Sequence, residues 1–343
     1  MTQTNKHTVA ILGGGARGRD HLDAFLQNAD RFDVVALCDK DGDRLKLLSA
    51  SCPGAKTYAD AERMLAETKP DVFCFATLPT IRLPLIELGV KYGAKAIAYE
   101  KPMALTLAEA RRIHDLCAQA GVKTIVSHQH KYGEHWRKVR DLAASGEIGQ
   151  VHTVHATAKG ALLQYGAHLV DYMMFLNGGH RADWVIGQVN GKKMFADSHP
   201  SPDYVLGHFA FANGVRGILE CGNLAPDQPG NNSFWMNAGA TVYGSDGYAQ
   251  VIVGAGWRAV TRSSGGLITG PGCFSVKHDQ PLYIRDLAEW LDDPAKVHPC
   301  NGETSYHGIQ IVLGMCLSSL ERRQVALPID TDTPVMARLA AEM

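Results

Sequence analysis

The chain has 343 residues, of which 45% are hydrophobic, and its 34 Lys and Arg residues against 35 Asp and Glu leave a formal net charge of −1. This length suffices for two domains, each with a core of its own. The balanced charge and the lack of a basic stripe exclude a typical nucleic-acid-binding protein, and no apolar run reaches about 18 residues, so we expect neither nucleic acid nor a membrane as partner.

The N-terminus and the cysteines predict a cytoplasmic protein. The first residues lack the basic-then-apolar pattern of a secretory signal. Eight cysteines are scattered without a CxxC pair, and Cys38 and Cys74 lie in apolar, strand-like runs. This usage is typical of reduced, buried thiols.

A glycine-rich motif ends the first apolar run. Residues 9–18 read VAILGGGARG and contain Gly13-x-Gly15-x-x-Gly18 before a stretch with helical periodicity. In a strand–loop–helix unit of this kind, Gly13 permits a tight turn, Gly15 lets the backbone approach a pyrophosphate, and Gly18 lets the helix pack on the strand. The helix N-terminus adds N–H groups and the positive end of its dipole. The motif predicts a dinucleotide site.

A second apolar run ends in Asp39, about 20 residues beyond the loop, where a carboxylate accepts hydrogen bonds from the adenosine ribose. Its charge disfavours a 2′-phosphate, so we favour NAD over NADP, although Lys40 and Arg44 are near enough to blur that preference. Arg17, inside the glycine loop, either reaches the pyrophosphate or is a solvated residue at the helix start.

The first third of the chain alternates strands and helices. Predicted helices cover 59–68, 80–92 and 106–121, and predicted strands cover 72–76, 96–99 and 122–127. Repeated βα units imply a doubly wound parallel sheet, α/β in class, over residues 1–127. Thr77 and Pro79, which follow the strand 72–76, are also predicted to contact the cofactor.

From residue 128 to 343 the pattern is that of an α+β domain with a mostly antiparallel, open sheet. An Asn213-Gly214 pair between two alternating runs predicts a hairpin. The predicted helices are 134–144, 164–176, 282–291 and 305–322, and the predicted strands are 151–158, 205–211, 215–221, 241–243 and 249–253.

One lysine lies where ligands bind in such a sheet. Tyr99-Glu100-Lys101-Pro102 ends a parallel strand at its carboxyl end. An oxidised nicotinamide nearby would lower the pKa of Lys101, which could then exchange a proton with a substrate hydroxyl. The alternative is a solvated surface lysine.

These features together resemble a known family. The glycine loop, Asp39, the Glu100-Lys101-Pro102 triplet and the SGEIGQV string at 145–151 are similar to the Gfo/Idh/MocA oxidoreductases, over essentially the whole chain. The resemblance implies a Rossmann domain, a C-terminal domain whose open sheet supports a homodimer or homotetramer, and NAD(P)-linked chemistry on sugars or cyclitols. It also implies that Lys101 is catalytic or orients the substrate, and that Glu100 and Lys101 contribute to the cofactor site.

The family's second motif, Asp-x-x-x-His-x-x-Asp, is present with one change. Gln164 stands in place of the first acid, while His168 and Asp171 match. His168 is therefore our candidate general base; the alternative is a helix-start histidine bonded to the backbone. A neutral Gln164 can orient hydroxyls but cannot relay protons. Asp171 either supports His168 or is a structural residue of the helix.

Polar residues around these motifs are candidates for hydroxyl recognition. Trp235 and Tyr243 either line the same cleft or belong to the core. The spacing of the histidines matches no metal pattern, so no metal is expected. The candidate substrate-binding residues are His130, Tyr132, Lys159, Gln164 and Asp171, and His155 is expected on the same strand face as Lys159.

The leading interpretation is an NAD(P)-dependent oxidoreductase that transfers a hydride between nicotinamide and a sugar, cyclitol or related polyol. One alternative is an NAD-dependent glycoside-cleaving enzyme that oxidises its substrate transiently and consumes no cofactor. The second alternative is a non-catalytic dinucleotide-binding sensor.

Overall fold

The computed structural model describes residues 6–228 and 233–343. The chain divides into two compact units. The first runs to Ala104 and includes Arg111–Gln129 and Val276–Glu303; the second comprises Leu105–Ala110, His130–Ser275 and Thr304–Met343. The main change of unit, after residue 129, lies close to the predicted boundary between 127 and 128. The return of 276–303 to the first unit was not predicted from the sequence.

The first unit is built on a parallel sheet of six strands in the order β3-β2-β1-β4-β5-β6. Every residue of the strands that begin at Val72 and Ala96 is buried, as expected for a sheet covered on both faces. The predicted doubly wound parallel sheet is confirmed. Its strands are β1 (His7–Leu12), β2 (Phe32–Cys38), β3 (Lys56–Tyr58), β4 (Val72–Phe75), β5 (Ala96–Tyr99) and β6 (Lys123–Val126).

The helices of this unit follow the strands. The last of them, in chain order, packs against the first. This packing explains why residues 276–303 belong to the first unit. The helices are α1 (Ala16–Gln27), α2 (Gly42–Ser51), α3 (Ala61–Thr68), α4 (Arg82–Lys91), α5 (Leu107–Ala120, shared by the two units) and α8 (Val276–Asp292).

The second unit has a sheet of nine strands in the order β14-β13-β12-β11-β7-β10-β9-β8-β15, in which β7 and β10 are parallel and the other paired strands antiparallel. The predicted mostly antiparallel sheet is confirmed. The strands are β7 (Val151–Ala158), β8 (Ala182–Asn190), β9 (Tyr204–Phe211), β10 (Arg216–Gly222), β11 (Ala238–Gly244), β12 (Gly247–Ile252), β13 (Gly256–Val260), β14 (Leu267–Gly270) and β15 (Val325–Ala326).

Helices of the second unit agree with the sequence except at two places. The predicted helix 164–176 begins as a π-helical turn at Leu162–Gly166 and continues as an α-helix, and a C-terminal helix was missed. The Asn213-Gly214 hairpin is confirmed, with Gly214 at φ +82° between β9 and β10. The helices are α6 (Glu134–Ala144), α7 (Ala167–Leu176), α9 (Gly302–Glu321, whose first residues belong to the first unit) and α10 (Val335–Glu342).

Strands β3, β8, β13, β14 and β15 were not predicted from the sequence. In β8, Gly187 lies so close to α9 that an added Cβ would be 2.2 Å from the carbonyl oxygen of Met315. A strand that accepts a helix backbone at this distance needs glycine where a periodicity argument expects a large apolar residue.

Two further expectations concern the whole chain. All eight cysteines are free thiols, and Cys38 and Cys74 are buried, as predicted. Within the described ranges, no helix is long and apolar enough to cross a membrane.

Candidate active site

The glycine loop lies between β1 and α1, and the backbone around Gly13 and Gly18 leaves no room for a side chain. Gly13 has φ +107°, and an added Cβ there would be 2.5 Å from the carbonyl oxygen of Ala76. An added Cβ at Gly18 would be 1.7 Å from the carbonyl oxygen of Gly13. No side chain other than hydrogen fits either position, so Gly13 and Gly18 allow the tight turn and the close packing of the helix.

Gly15 differs from these two glycines because its added Cβ would have no heavy atom within 4 Å. It is the N-cap of α1, where no side chain caps the helix, and the first turn contains no acidic residue. The first N–H groups of a helix carry partial positive charge and bind anions. Open space beside an uncapped helix N-terminus fits the diphosphate of a dinucleotide.

Asp39 is buried at the end of β2, where its carboxylate accepts two backbone hydrogen bonds. Oδ2 is 2.6 Å from the nitrogen of Gly14, and Oδ1 is 2.9 Å from the nitrogen of Asp41. The carboxylate therefore lies beside the glycine loop. Arg44 forms an ion pair with Asp41 at 3.4 Å, while Lys40 is exposed. A role of Asp39 in holding a ribose stays a prediction.

Thr77 and Pro79 follow β4, the strand next to β1, so they lie at the same edge of the sheet as the glycine loop. Pro79 is buried and begins a short 3₁₀ turn, Pro79–Ile81. Thr77 is half-buried, and its hydroxyl donates to the carbonyl oxygen of Leu78 at 3.3 Å. Their predicted cofactor contacts stay predictions.

Arg17 binds the carboxylate of Glu100, which follows β5. Its Nε and Nη2 lie 3.1 and 2.9 Å from Oε1 of Glu100, and its Nη1 lies 2.9 Å from Oδ2 of Asp20. The guanidinium is thus held by two carboxylates within the first unit. Arg17 is therefore not freely solvated, because Glu100 and Asp20 hold its guanidinium. Its contact with the pyrophosphate stays a prediction.

Glu100 has a second partner, His21, whose side chain is fully buried in α1. Nε2 of His21 is 3.0 Å from Oε1 of Glu100, and Nδ1 is 3.0 Å from the side-chain nitrogen of Gln280, whose oxygen accepts from Arg17 at 3.1 Å. Gln280, in α8, therefore joins the two side chains that hold Glu100. We call His21, Arg17, Glu100 and Gln280 the Glu100 network.

The charges of this network are set by mutual stabilisation. Burial works to raise the pKa of Glu100, but the positive charge of Arg17 and the hydrogen bond from His21 hold it well below its usual range. Since the Gln280 oxygen accepts from Arg17, its amide nitrogen donates to Nδ1 of His21, and Nε2 of His21 carries the proton that it donates to Glu100. Glu100 is therefore an anion at neutral pH.

Lys101 follows Glu100 directly. Burial, with the nearby positive charges of Arg82 and Arg17, lowers the pKa of its amine to about 8, against the opposing effect of Glu100. Arg82 also donates to the carbonyl oxygen of Lys101 at 2.9 Å, and the Lys101–Pro102 peptide is cis. The chain itself thus lowers the pKa of Lys101, an effect that the sequence argument ascribed to the nicotinamide ring.

His168 lies in the first turn of α7 within the second unit. The hydroxyl of Tyr172 is 3.2 Å from its Nδ1, and the ring of Tyr165 meets its ring edge-on at 6.0 Å between centroids. If Tyr172 accepts from the Nδ1 proton, Nε2 carries the lone pair that a general base needs. His130 lies 6.3 Å from His168 between ring centroids and contacts Phe274 at 4.0 Å.

Asp171 forms an ion pair with Lys131, and both side chains are almost inaccessible, at 1% and 2% exposed. The Lys131 amine also lies 5.7 Å from the ring centroid of Phe175. The structure therefore favours the structural role of Asp171: it anchors the residues after His130 to α7. Direct contact between Asp171 and a substrate, as predicted from the sequence, would require the substrate to displace Lys131.

The remaining predicted substrate residues are placed differently. Tyr132 is buried under the guanidinium of Arg137, 5.2 Å from the ring centroid, whereas Gln164 is half-buried in the π-helical turn. The Lys159 amine lies 3.2 Å from Oδ2 of Asp227 and donates to the carbonyl oxygen of Asn223 at 3.4 Å.

The expectation that His155 and Lys159 share a strand face stays a prediction. Strand β7 ends at Ala158, and the N–H of Lys159, the next residue, donates to the carbonyl oxygen of Asn237 at 3.2 Å. His155 pairs with Oε1 of Glu220 at 3.1 Å.

Several residues of these surroundings were missed from the sequence. His21 lies one helical turn after Arg17, a spacing that places both on one face of α1 and could have been noticed. Gln280 and Phe274 come from distant parts of the chain and left no local signal. Among the described residues, no group of three or more His, Cys, Asp or Glu side chains is arranged to hold a metal ion.

Two family models match the chain. The model described as an oxidoreductase family with an NAD-binding Rossmann fold matches residues 7–128, and the GFO/IDH/MocA C-terminal domain matches residues 155–250. The chain belongs to the Gfo/Idh/MocA oxidoreductase family. The resemblance noted from the glycine loop and the Glu100-Lys101-Pro102 triplet is confirmed.

Curated members of this family are similar over part of the chain. D-apiose dehydrogenase of Paraburkholderia graminis is 33% identical over 148 residues, which are 43% of this chain and 39% of that protein. The rhizopine catabolism protein MocA of Rhizobium meliloti is 24% identical over 258 residues, 71% of this chain and 77% of that protein. The first of these alignments spans about two fifths of its relative.

Solved structures share the fold over nearly the whole length. An oxidoreductase from Agrobacterium radiobacter, solved with NAD+, L-tartaric acid and magnesium, has a TM-score of 0.79 at 17% identity and covers 94% of this chain and 98% of its own. The WlbA dehydrogenase from Bordetella pertussis, solved with NADH and UDP-GlcNAcA, has a TM-score of 0.75 at 19% identity, covering 95% and 100%. At these identities the likeness shows the fold of this Gfo/Idh/MocA protein.

The loop glycines supply a first prediction. We expect Gly15→Ala to leave the melting temperature near that of the wild type and to weaken NAD binding, because its methyl group enters the open space beside the helix N-terminus. Gly18→Ala should lower the melting temperature by several degrees, since the backbone itself must move. Differential scanning fluorimetry and NAD titration measure the two effects. An unchanged NAD affinity in Gly15→Ala would place the diphosphate elsewhere.

The buried ion pair supplies a second prediction. Asp171→Asn should lower the free energy of unfolding by about 3 kcal/mol, because it leaves the Lys131 charge buried without its counter-ion. Removing both charges, as in Lys131→Met with Asp171→Leu, should cost less than the single change. Urea denaturation measures these differences, with Glu67→Gln in the exposed Arg63–Glu67 pair as a control that changes stability little. Equal stability of Asp171→Asn and wild type would contradict the assigned role.

Proposed function

We propose that this protein is an NAD-dependent dehydrogenase that oxidises, or in reverse reduces, one carbon of a sugar, a cyclitol or a related polyol. The observation that carries the proposal is the position of Lys101. It lies beside the Glu100 network, directly after β5, at the sheet edge where the glycine loop also ends. Ligands of doubly wound sheets bind at the carboxyl ends of the strands.

The residues have distinct parts in this reaction. The bound nicotinamide supplies a hydride acceptor for the oxidation of an alcohol carbon. Lys101, as an ammonium, donates a hydrogen bond to the reacting oxygen and polarises it, and His168 takes the hydroxyl proton at Nε2. Its partner Tyr172 orients the ring through Nδ1. Two electrons leave the carbon with the hydride, and one proton leaves the oxygen.

The choice of cofactor rests on Asp39. A buried carboxylate at the end of β2 repels a 2′-phosphate, which favours NAD over NADP. Arg44, five residues after Asp39, has an exposed guanidinium that is paired with Asp41. The residues at the carboxyl ends of β1 and β4 would surround the dinucleotide: Gly13, Gly15, Gly18, Thr77 and Pro79.

The substrate class rests on relatives and on the polar side chains of the second unit. Proteins similar to part of this chain are named D-apiose dehydrogenase and inositol 2-dehydrogenase. His130, Lys159 and Gln164 would recognise hydroxyl groups, because such ligands need several fixed polar partners.

Replacing Lys101 tests the proposal directly. Lys101→Met should reduce turnover by about a hundredfold or more while NAD binding persists, since the amine acts on the substrate oxygen. NADH absorbance during turnover of a polyol panel, and NAD titration, measure the two properties. Lys91→Met, which changes an exposed lysine of the same unit, is the matched control. Full activity of Lys101→Met would refute the assigned role.

The same assay separates the alternatives. Gln164 occupies the position of the usual acid. This difference leaves a second activity open, in which the enzyme oxidises its substrate, eliminates a glycosidic group and then reduces the product. Such an enzyme cleaves glycosides with no net NADH. A dinucleotide-binding sensor would produce neither NADH nor cleaved glycoside, and its biological effect would survive the loss of both Lys101 and His168.

The pKa of Lys101 predicts the alkaline side of the pH profile. The ammonium is needed and is lost as the pH rises through about 8, so kcat/KM for oxidation should fall above that pH. Glu100→Gln removes the charge that raises this pKa, so the fall should move to lower pH. Lys101→Arg keeps its charge and should abolish the fall. Initial rates from pH 6 to 10 measure this, and an alkaline fall that persists in Lys101→Arg would assign it to another group.

The oligomeric state and the cellular location of the protein also stay predictions. Exposed apolar side chains on the large sheet, among them Ile186 and Leu206, are consistent with a homodimer or homotetramer formed through that sheet. Light scattering on the purified chain measures its oligomeric state. A cytoplasmic location is predicted as well, and fractionation of the source cells tests it.

A further inference from the structure

A buried arginine begins helix α4, and the reaction proposed above does not use it. Arg82 is 1% exposed, and it is the first residue of α4, directly after the short turn Pro79–Ile81. No side chain caps this end of the helix, and its first turn contains no acidic residue. Because a guanidinium keeps its proton in proteins, a cation is buried here at the positive end of a helix dipole.

This position is unfavourable for a cation on two grounds. Burial removes the guanidinium from water, and the N–H groups of the first helical turn repel a positive charge. The ring of Tyr99 offsets part of the cost, since Cζ of Arg82 lies 6.0 Å from the ring centroid. A neutral side chain would avoid both effects, and this points to a function for the charge itself.

A hydrogen bond joins Arg82 to Lys101. Nη2 of Arg82 donates to the backbone carbonyl oxygen of Lys101 at 2.9 Å, and both residues belong to the first unit. The guanidinium is therefore held against the residue that follows β5 and whose amine is the candidate donor to the substrate oxygen. Two positively charged groups thus lie close together at the edge of the sheet.

Charged side chains from three elements act on the Lys101 amine. Burial lowers the pKa of the amine most, Glu100 beside it raises that pKa, and the cations Arg82 and Arg17 lower it further, to about 8. Arg82 is the more effective of the two cations. The charge of Arg17 is balanced by Glu100 and Asp20, to which it is bonded, whereas Arg82 donates to a carbonyl oxygen that carries no full charge.

We infer that Arg82 is a positioning residue of the proposed reaction: it holds the backbone of Lys101, and its charge makes the neighbouring ammonium a stronger proton donor. The inference rests on the proposed function for the role of Lys101. A more acidic ammonium donates a stronger hydrogen bond to the reacting oxygen, and at neutral pH the amine still keeps its proton. Glu100 supplies the opposing charge that prevents complete loss of this proton.

Chemical labelling of Lys101 tests the charge effect without cofactor or substrate. The intact protein is acetylated with dilute acetic anhydride between pH 6 and 11, and mass spectrometry of the peptide that contains Lys101 gives the rate at each pH. Only the uncharged amine reacts, so the rate follows its titration. The wild-type amine should titrate near pH 8, well below an ordinary lysine. Titration in the ordinary lysine range would overturn the inference without any variant.

Variants separate the charge of Arg82 from its hydrogen bond. Arg82→Gln keeps a side-chain donor but removes the charge, so the titration of Lys101 should move up by about half a pH unit or more. Arg82→Met should show the same rise, so the result does not depend on the folding of one variant. Arg82→Lys keeps the charge and should stay near the wild type.

The matched control is Arg112→Met, which removes an exposed guanidinium of α5 and should leave the titration unchanged. An unchanged or lower titration of Lys101 in the neutral Arg82 variants overturns the inference.

Turnover supplies a second measurement. In Arg82→Gln the alkaline fall of kcat/KM should move up together with the labelling titration, whereas a merely structural role would lower turnover at every pH and leave the fall in place.

The labelling test fails separately from the proposed function. Formation of NADH by a protein whose Lys101 titration does not respond to Arg82 would leave the dehydrogenase standing and remove the inference. A response of Lys101 to Arg82 in a protein that forms no NADH would keep the charge effect and refute the proposed function.

Discussion

The buried carboxylate of Glu100 is the interaction around which the first unit's chemistry is arranged. An anion without partners in this position would be unstable, and Arg17 and His21 stabilise it through hydrogen bonds of 2.9–3.1 Å to one oxygen. The same anion acts on the next residue, Lys101, where it opposes the loss of the proton that burial and Arg82 favour. The amine therefore titrates close to physiological pH rather than near its usual range.

This network also links distant parts of the chain. Arg17 and His21 come from α1, Glu100 follows β5, and Gln280 comes from α8 after the chain has left the first unit and returned. A polar group buried in each of these elements must find a partner, and here they satisfy one another. The return of α8 is thus more than packing: its glutamine completes the hydrogen bonds that keep Glu100 in place.

The second unit also buries charged side chains, in a single ion pair. Lys131 and Asp171 are both inaccessible, and each would be costly to bury alone. Together they tie the segment that carries His130 to the helix that carries His168, while Tyr172 holds the His168 ring itself. The groups beside the His168 ring are therefore the side chains of Tyr172 and Tyr165.

The local features of this protein were determined by its sequence. Gly13 and Gly18 could be assigned because a positive φ and a close backbone approach leave a mark in one short segment, and Lys101 because a strand end fixes its position. Strand β7 and helix α6 follow from alternation and helical periodicity at their predicted bounds. Partnerships across the chain left no such mark. That Arg17 binds Glu100, that Asp171 binds Lys131, and that Gln280 reaches His21 depend on which elements pack together, since a buried charge takes the nearest satisfactory partner in space and sequence distance does not constrain that choice.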